Sequence, residues 1–359
     1  MSGETVRTED PISLLPFASL DLDDPFFDSL RRSYDFDEWV GRKALAGEST
    51  WVATDKQTGG YVAMLYLKRE YDTDRSVVPA LTKPRLKIGT FKVDFRHHTS
   101  LGKRLLAIAL RDFAGSGLSY AYVTMFRNTN TEGLRSLLTQ YGFRQIGEKG
   151  CEEVWAKRRP SAQESNPFKA FPFLTSFPCG YHILAIRPEY HSRMFGDLRL
   201  ATEKDVPVED EIRTNTVEKI YLSGASGAAL LKKGDRIAIY RTAPKGTVAK
   251  YSSVISSICT VTDRMDIRDF PSREEFFKFV KGRSVFTQAE LEDFWRTKKY
   301  PSIISMLYNF PLRKRPIRQK LLDAGIITPE ERLVCKRIDQ QSFQKILDIG
   351  EADESFIVH

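Results

Sequence analysis

Residues 98–104 read His-Thr-Ser-Leu-Gly-Lys-Arg, a polar turn holding one glycine and two adjacent cations. The apolar positions that follow, Leu101, Leu105, Leu106, Ala109, Leu110 and Phe113, have helical spacing. The turn is therefore predicted to be the N-terminus of a helix. A helix start leaves its first four amides without internal partners, and its macrodipole puts about half a positive charge there. A diphosphate would satisfy both at once. Gly102 lets a ligand approach the backbone, Lys103 and Arg104 add formal charge, and Thr99 or Ser100 can cap the helix when no ligand is bound. Metal chemistry has no such nucleus. Cys151, Cys179, Cys259 and Cys335 are dispersed, no CxxC pair occurs, and the adjacent His97 and His98 point apart on any regular element. No metal site is expected.

The elements needed to position that turn can be read on either side of it. Segments 49–54 (STWVAT) and 60–68 (GYVAMLYLK) read as two strands joined by a turn-rich spacer, and 85–93 (RLKIGTFKV) as a third. After the helix, 119–126 (SYAYVTMF) is a strand rich in aromatic and β-branched residues. A short helix over 133–141 stops at Gly142, and 151–156 (CEEVWA) is one more strand.

This order of hairpin, strand, phosphate turn, helix, strand, helix and strand resembles the GNAT superfamily of N-acetyltransferases. The resemblance runs from about residue 36 to 157 and rests on LKIGTFKVDFRHHTSLGKRLLAIAL and NTEGLRSLLTQYGF. It implies acetyl-CoA as co-substrate, with the pyrophosphate on His98, Thr99, Ser100, Leu101, Gly102, Lys103 and Arg104. It also implies that two central parallel strands splay around the thioester arm. The backbone of Phe91, Lys92 and Val93 would pair with that arm, and Asn128 or Asn130 would touch it from the other side. Many members place a Tyr four residues before the glycine of the Gly-Phe pair to protonate the leaving thiolate, but Leu138 stands there in this chain. Tyr141, a strand residue such as Thr124, or water would then take over, or the fold binds CoA without efficient transfer.

Charge divides the chain unevenly. Residues 1–38 hold 3 basic and 10 acidic side chains, residues 39–160 hold 21 and 11, and residues 232–320 hold 20 and 9. An acidic lead-in precedes two basic regions, which points to anionic ligands in both halves. The length favours two domains. The expected boundaries are an acidic lead-in over 1–35, a transferase domain over 36–160, a Pro- and Ser-rich linker over 161–180, and a basic domain over 181–350.

The second half reads as strands at 219–223, 235–242 and 252–261 with basic loops, then helices at 273–281, 288–295 and 317–324. Its GDRIAIYRT edge is similar to the PUA-like group, which includes ASCH relatives that commonly bind RNA or modified bases. The expected class is thus α+β: a GNAT mixed sheet with flanking helices, followed by a small PUA-like β-barrel with helices. Lys232, Lys233, Arg236, Arg241, Arg313, Lys314 and Arg315, with Tyr240 among them, have the chemistry for phosphates and base stacking.

Together these readings describe a cytoplasmic acetyl-CoA-dependent N-acetyltransferase whose acceptor amine is RNA-linked, such as a tRNA or an aminoacyl-tRNA. Some toxins of toxin–antitoxin systems share that chemistry, which makes an antitoxin-like protein a further expected partner. A transferase for a protein or a small amine, and a CoA sensor that binds nucleic acid, are the alternatives. No run is long and apolar enough to span a bilayer, and the acidic N-terminus has no secretory pattern, so no membrane partner is expected.

Overall fold

A computed structural model of the chain describes residues 12–32, 34–55, 57–94, 100–127, 131–195 and 217–359. The chain divides into two compact units, one ending at Arg159 and the other starting at Pro160. Each carries its own mixed sheet with helices, an α+β architecture.

The first unit runs β1 (Ile12–Pro16), α1 (Asp28–Arg31), α2 (Phe36–Leu45), β2 (Ser49–Thr54), β3 (Tyr61–Glu70), β4 (Arg85–Val93), α3 (Ser100–Gly115), β5 (Tyr120–Phe126), α4 (Glu132–Gln140), β6 (Arg144–Lys149) and β7 (Glu152–Arg158). Its seven strands lie in the order β1-β2-β3-β4-β5-β7-β6. Every neighbouring pair is antiparallel except β4 and β5, which α3 joins as a parallel crossover. The helical stripe predicted for α3 is its buried face: Leu101, Leu105, Leu106, Ala109, Leu110 and Phe113 are all in the core. Burying each larger side chain contributes about 1.5–3 kcal/mol, which fixes the helix against β3, β4 and β5. Gly142, at φ 86°, stops α4 as its position in sequence suggests.

The described part of the acidic lead-in, from Ile12 onward, packs on this sheet. β1 adds an edge strand to β2, and Phe17, Phe26, Phe27, Phe36 and Val40 close a core over Val52, Met64 and Tyr66. Its Phe residues, seeded among aspartates, make this segment a wall of the sheet.

The second unit runs α5 (Pro167–Ala170), β8 (Tyr181–Ile186), α6 (Pro188–Met194), β9 (Glu218–Ser223), β10 (Arg236–Arg241), α7 (Ala249–Ser252), β11 (Val254–Asp266), α8 (Arg273–Val280), α9 (Gln288–Thr297), β12 (Ser302–Pro311), α10 (Arg318–Asp323), β13 (Cys335–Ile338) and α11 (Gln340–Ile349). The expected small barrel is not closed among the described residues. The strands form an open sheet, β13-β8-β10-β11-β12-β9, with β13 and β9 at its two ends. The segment expected as a linker belongs to this unit, where Phe171 and Phe173 are fully buried.

Candidate active site

β4 and β5 pair only from Arg85 opposite Tyr120 to Ile88 opposite Val123. Beyond that point β4 continues to Val93 against β3, and β5 continues to Phe126 against β7. Each strand therefore keeps one satisfied edge, while the two edges that face each other part company. A local irregularity in β4 marks the place. Gly89 is an extra residue between the pairs Leu67–Ile88 and Tyr66–Thr90, a bulge that falls at the point where pairing with β5 stops. An isolated glycine within RLKIGTFKV is the sequence signal that could have found it.

The separation opens into a cavity of about 1940 Å³. Pockets for one small ligand usually measure roughly 300–1,000 Å³, so this one has room for two reactants. Its walls are β4 from Lys87 to Val93 with Asp94 beyond it, Tyr61, Tyr66, Lys68 and Glu70 of β3, β5 from Val123 to Phe126, the first turn of α3, one face of α4, and the segment from Asp24 to Trp39.

The sequence-predicted residues divide into three groups. Phe91, Lys92, Val93, Gly102, Lys103 and Thr124 line the cavity. Leu101 and Arg104 belong to the same helical turn but are buried in the protein and do not line it. His98, Thr99, Asn128 and Asn130, together with the side chain of Ser100, lie outside the described residues. Lys92 offers its backbone but not its charge. Its ammonium donates to the Phe26 carbonyl and to Ser29 Oγ and sits 4.2 Å from the Phe26 ring centroid. Burial in that contact lowers its pKa.

Tyr141 follows α4 with a side chain only 1% exposed and is not a cavity residue; Leu138, four residues before Gly142, is equally buried. A different phenol reaches the cavity. Tyr34 packs against Phe126 with ring centroids 5.9 Å apart, and its hydroxyl donates to Glu152 Oε1 at 3.1 Å. Burial first, and then the Glu152 charge, raises its pKa well above the ordinary tyrosine value. Tyr34 is a reading the sequence misses, since it lies in the lead-in far from either motif.

Glu153 holds this end of the cleft in shape. Its buried carboxylate accepts from Trp155 Nε1 at 3.0 Å, from Arg127 Nε at 2.7 Å and from Arg135 Nε at 3.2 Å, tying α4 to the end of β5. Burial opposes its ionisation, but the Trp155 hydrogen bond and the two guanidinium groups prevail and hold it below the usual carboxylate range.

The residues predicted to contact nucleic acid do not assemble into one surface. β10 was expected as an edge and is instead central, flanked by β8 and β11. Arg236, Tyr240 and Arg241 are accordingly 4%, 3% and 1% exposed. Arg236 spends its guanidinium on Thr260 Oγ1 at 2.8 Å and Thr175 Oγ1 at 3.1 Å. Lys232 and Lys233 are exposed on the preceding turn. Arg313 and Lys314 are exposed too, but pair with Asp353 and Glu351, each at 2.5 Å, while Arg315 is half-buried. Among the described residues no group of three His, Cys, Asp or Glu side chains is placed to hold a metal ion, and no helix is long and apolar enough to cross a membrane.

A comparison with protein-family profiles returns no match, and a comparison with curated proteins returns none either. Solved structures do show likeness. A putative acetyltransferase of the GNAT family from Desulfovibrio desulfuricans is 15% identical at a TM-score of 0.30, covering 41% of this chain and 99% of its own. ASCH from Zymomonas mobilis is 11% identical at a TM-score of 0.30, covering 47% of this chain and 94% of its own. The NatC complex bound to Gag peptide and CoA includes a chain 16% identical at a TM-score of 0.25, covering 40% of this chain and 95% of its own. Likenesses this remote assign neither an activity nor a ligand, which must be argued from the cleft.

Proposed function

We propose that the first unit transfers an acetyl group from acetyl-CoA to an amine. The observation that carries this reading is the parting of β4 and β5 after Ile88 and Val123, which leaves two strand edges facing a large cavity beside the first turn of α3. A pantetheine arm is an extended chain of amides. The backbone groups of Phe91, Lys92 and Val93 on the free edge of β4 suit it as a further strand would. The first-turn amides of α3, with Gly102 and Lys103, suit a diphosphate. His98, Thr99 and Ser100 are proposed to complete that turn, and Asn128 and Asn130 to meet the arm from the β5 side. Leu101 contributes only its amide, and Arg104 acts from beneath the surface as a source of positive field.

Acetyl-CoA supplies an acyl carbon bound to a good leaving group. The residues of this chain position the amine, exclude water and manage one proton: the amine nitrogen bonds to the acyl carbon, the carbon–sulfur bond breaks, and the proton lost from nitrogen ends on the thiolate. Holding both reactants in one cleft supplies much of the rate gain. Tyr34 is the phenol suited to return the proton, since it lines the cavity and stays protonated over the working range of pH. The Thr124 hydroxyl is the other proton-bearing side chain on the β5 rim. Tyr141 is withdrawn from this role by its burial.

One observation favours a second reading, a CoA sensor with slow transfer: neither Leu138 of α4 nor Tyr141 after it lines the cavity. Mass spectrometry of the purified protein for bound CoA, followed by thiol release from acetyl-CoA over a panel of amines, separates the two. Binding with release supports transfer, binding without release supports the sensor, and failure to bind acetyl-CoA in a direct titration overturns both. For the second unit we keep RNA as a proposed partner through Lys232 and Lys233 alone; the described surface offers nothing that carries an antitoxin-like partner.

A further inference from the structure

We propose that the β3–β4 side of the cavity recognises an anionic group carried by the acceptor, so that the acceptor is a compact amine bearing a carboxylate or a phosphate. The inference rests on the acetyltransferase reading for the word acceptor, but its geometry stands separately.

Lys68 and Lys87 are direct cross-strand partners, and both line the cavity. Like charges placed opposite one another on a sheet repel, and a strand pair built only for stability avoids them. Glu70 does not resolve the conflict. Its carboxylate is 3.8 Å from Lys68 Nζ, but it is already held by Arg85 at 3.1 Å and by the Tyr122 hydroxyl at 2.8 Å. Lys149, also on the cavity, pairs with Asp74 at 3.6 Å. Arg85, Lys68, Lys87 and Lys149 thus outnumber Glu70 and Asp74, and Glu48, which Lys68 also reaches electrostatically, is itself paired with Lys43 at 2.9 Å.

Lys87 is the residue left over. Among the described residues it has no ion pair and no hydrogen bond; its neighbour is the Tyr122 ring, 5.8 Å from Nζ to centroid. It is partly buried, and that burial lowers its pKa, an effect a bound anion would reverse. A partly desolvated ammonium on a residue that lines the cavity, beside a second lysine, is the arrangement an anionic ligand would neutralise.

The register also bounds the size of the ligand. Lys87 lies opposite Tyr122 in β5, and Thr124 is two residues further on the same face, a step of about 6.6 Å along the strand. An anion at Lys87 and an amine held beside Thr124 would therefore fit on one small skeleton.

The test compares 2-aminoethyl phosphate, β-alanine and ethanolamine in the full chain and in Lys87→Gln. Direct titration without acetyl-CoA should give at least tenfold tighter binding of one or both anionic amines than of ethanolamine, and Lys87→Gln should erase that preference. The phosphate and carboxylate arms identify which anion is read. With acetyl-CoA present, the same substitution should raise KM for the anionic amine tenfold or more while the Kd of acetyl-CoA stays unchanged. Equal binding of charged and neutral amines, or a preference that survives Lys87→Gln, overturns the subsite. Anion preference without any binding of acetyl-CoA leaves the subsite standing and removes the transferase reading instead.

Discussion

Gly89 lies against the ring of Tyr66: a Cβ added at Gly89 would sit 2.7 Å from Tyr66 Cδ1. The ring is held on several sides. It is buried in the aromatic core with Phe17 and Trp39, its hydroxyl donates to Glu48, and Lys43 Nζ lies 4.9 Å from its centroid. The bulge at the point where the strands part is thus bound to the identity of one residue. Gly89→Ala should cost about 1–3 kcal/mol, as overpacking in a core does, and should weaken acetyl-CoA binding by displacing the β4 edge. Chemical denaturation and a binding titration read the two effects. Combining it with Tyr66→Leu should recover part of the stability loss, because the two side chains compete for one space.

The first turn of α3 allows sterics and charge to be separated. The nearest atom to a Cβ on Gly102 would be Leu137 Cδ2 at 3.7 Å, an ordinary contact. Gly102→Ala should fold normally and gain up to about 1 kcal/mol in helix stability. Gly102→Glu should keep the fold but put a negative charge where the diphosphate is proposed to sit, raising the Kd of CoA at least tenfold, or about 1.4 kcal/mol. If CoA binds the Glu variant as it binds the Ala variant, the diphosphate lies elsewhere.

Much of this was legible because the motifs are local. The apolar period of α3 and the strand runs of β2 to β5 are each written within one element, so a helix between two strands is legible there, while the parallel pairing of those strands is what the family resemblance implies. What escaped depends on contacts between segments remote in sequence. Tyr34 meets Glu152 across more than a hundred residues, and nothing in either neighbourhood marks the meeting. Lys68 and Lys87 become a pair only through the β3–β4 register. Arg236, Tyr240 and Arg241 read as an exposed basic edge because alternation along one strand does not reveal whether both of its neighbours are filled. β12 was missed, though its run SIISMLYNFP is apolar enough to have been read as a buried strand.

Tyr34→Phe keeps the ring that packs against Phe126 and removes only the hydroxyl. If Tyr34 returns the proton to the thiolate, kcat should fall by about 10²-fold or more, with KM for acetyl-CoA little changed. The raised phenol pKa sets the pH profile. An ordinary tyrosine is about half deprotonated at pH 10, whereas the raised pKa of Tyr34 keeps its proton on there, so wild-type kcat should show no descending limb from this group up to pH 10. Thr124→Val provides the comparison: a larger drop there, with Tyr34→Phe near wild type, would transfer the role to Thr124.

His191 should make the second unit acid-sensitive. Its ring is buried, Nε2 lies 2.8 Å from Ser256 Oγ, and Nδ1 has no partner among the described residues. Burial, then the Arg241 and Arg315 charges, push its pKa down to about 3. The unfolded chain binds a proton near pH 6.5 and the folded one does not, so this contribution to stability is complete above pH 6.5 and is lost as the pH falls toward 3. The slope approaches about 1.4 kcal/mol per pH unit within that window. Denaturation of the full chain between pH 6.5 and 4.5 should show the second unit weakening along this line. His191→Gln can keep a hydrogen bond to Ser256 but cannot titrate, so its stability should be lower at pH 7 and flatter below it. An equally steep acid slope in that variant would assign the sensitivity to other groups.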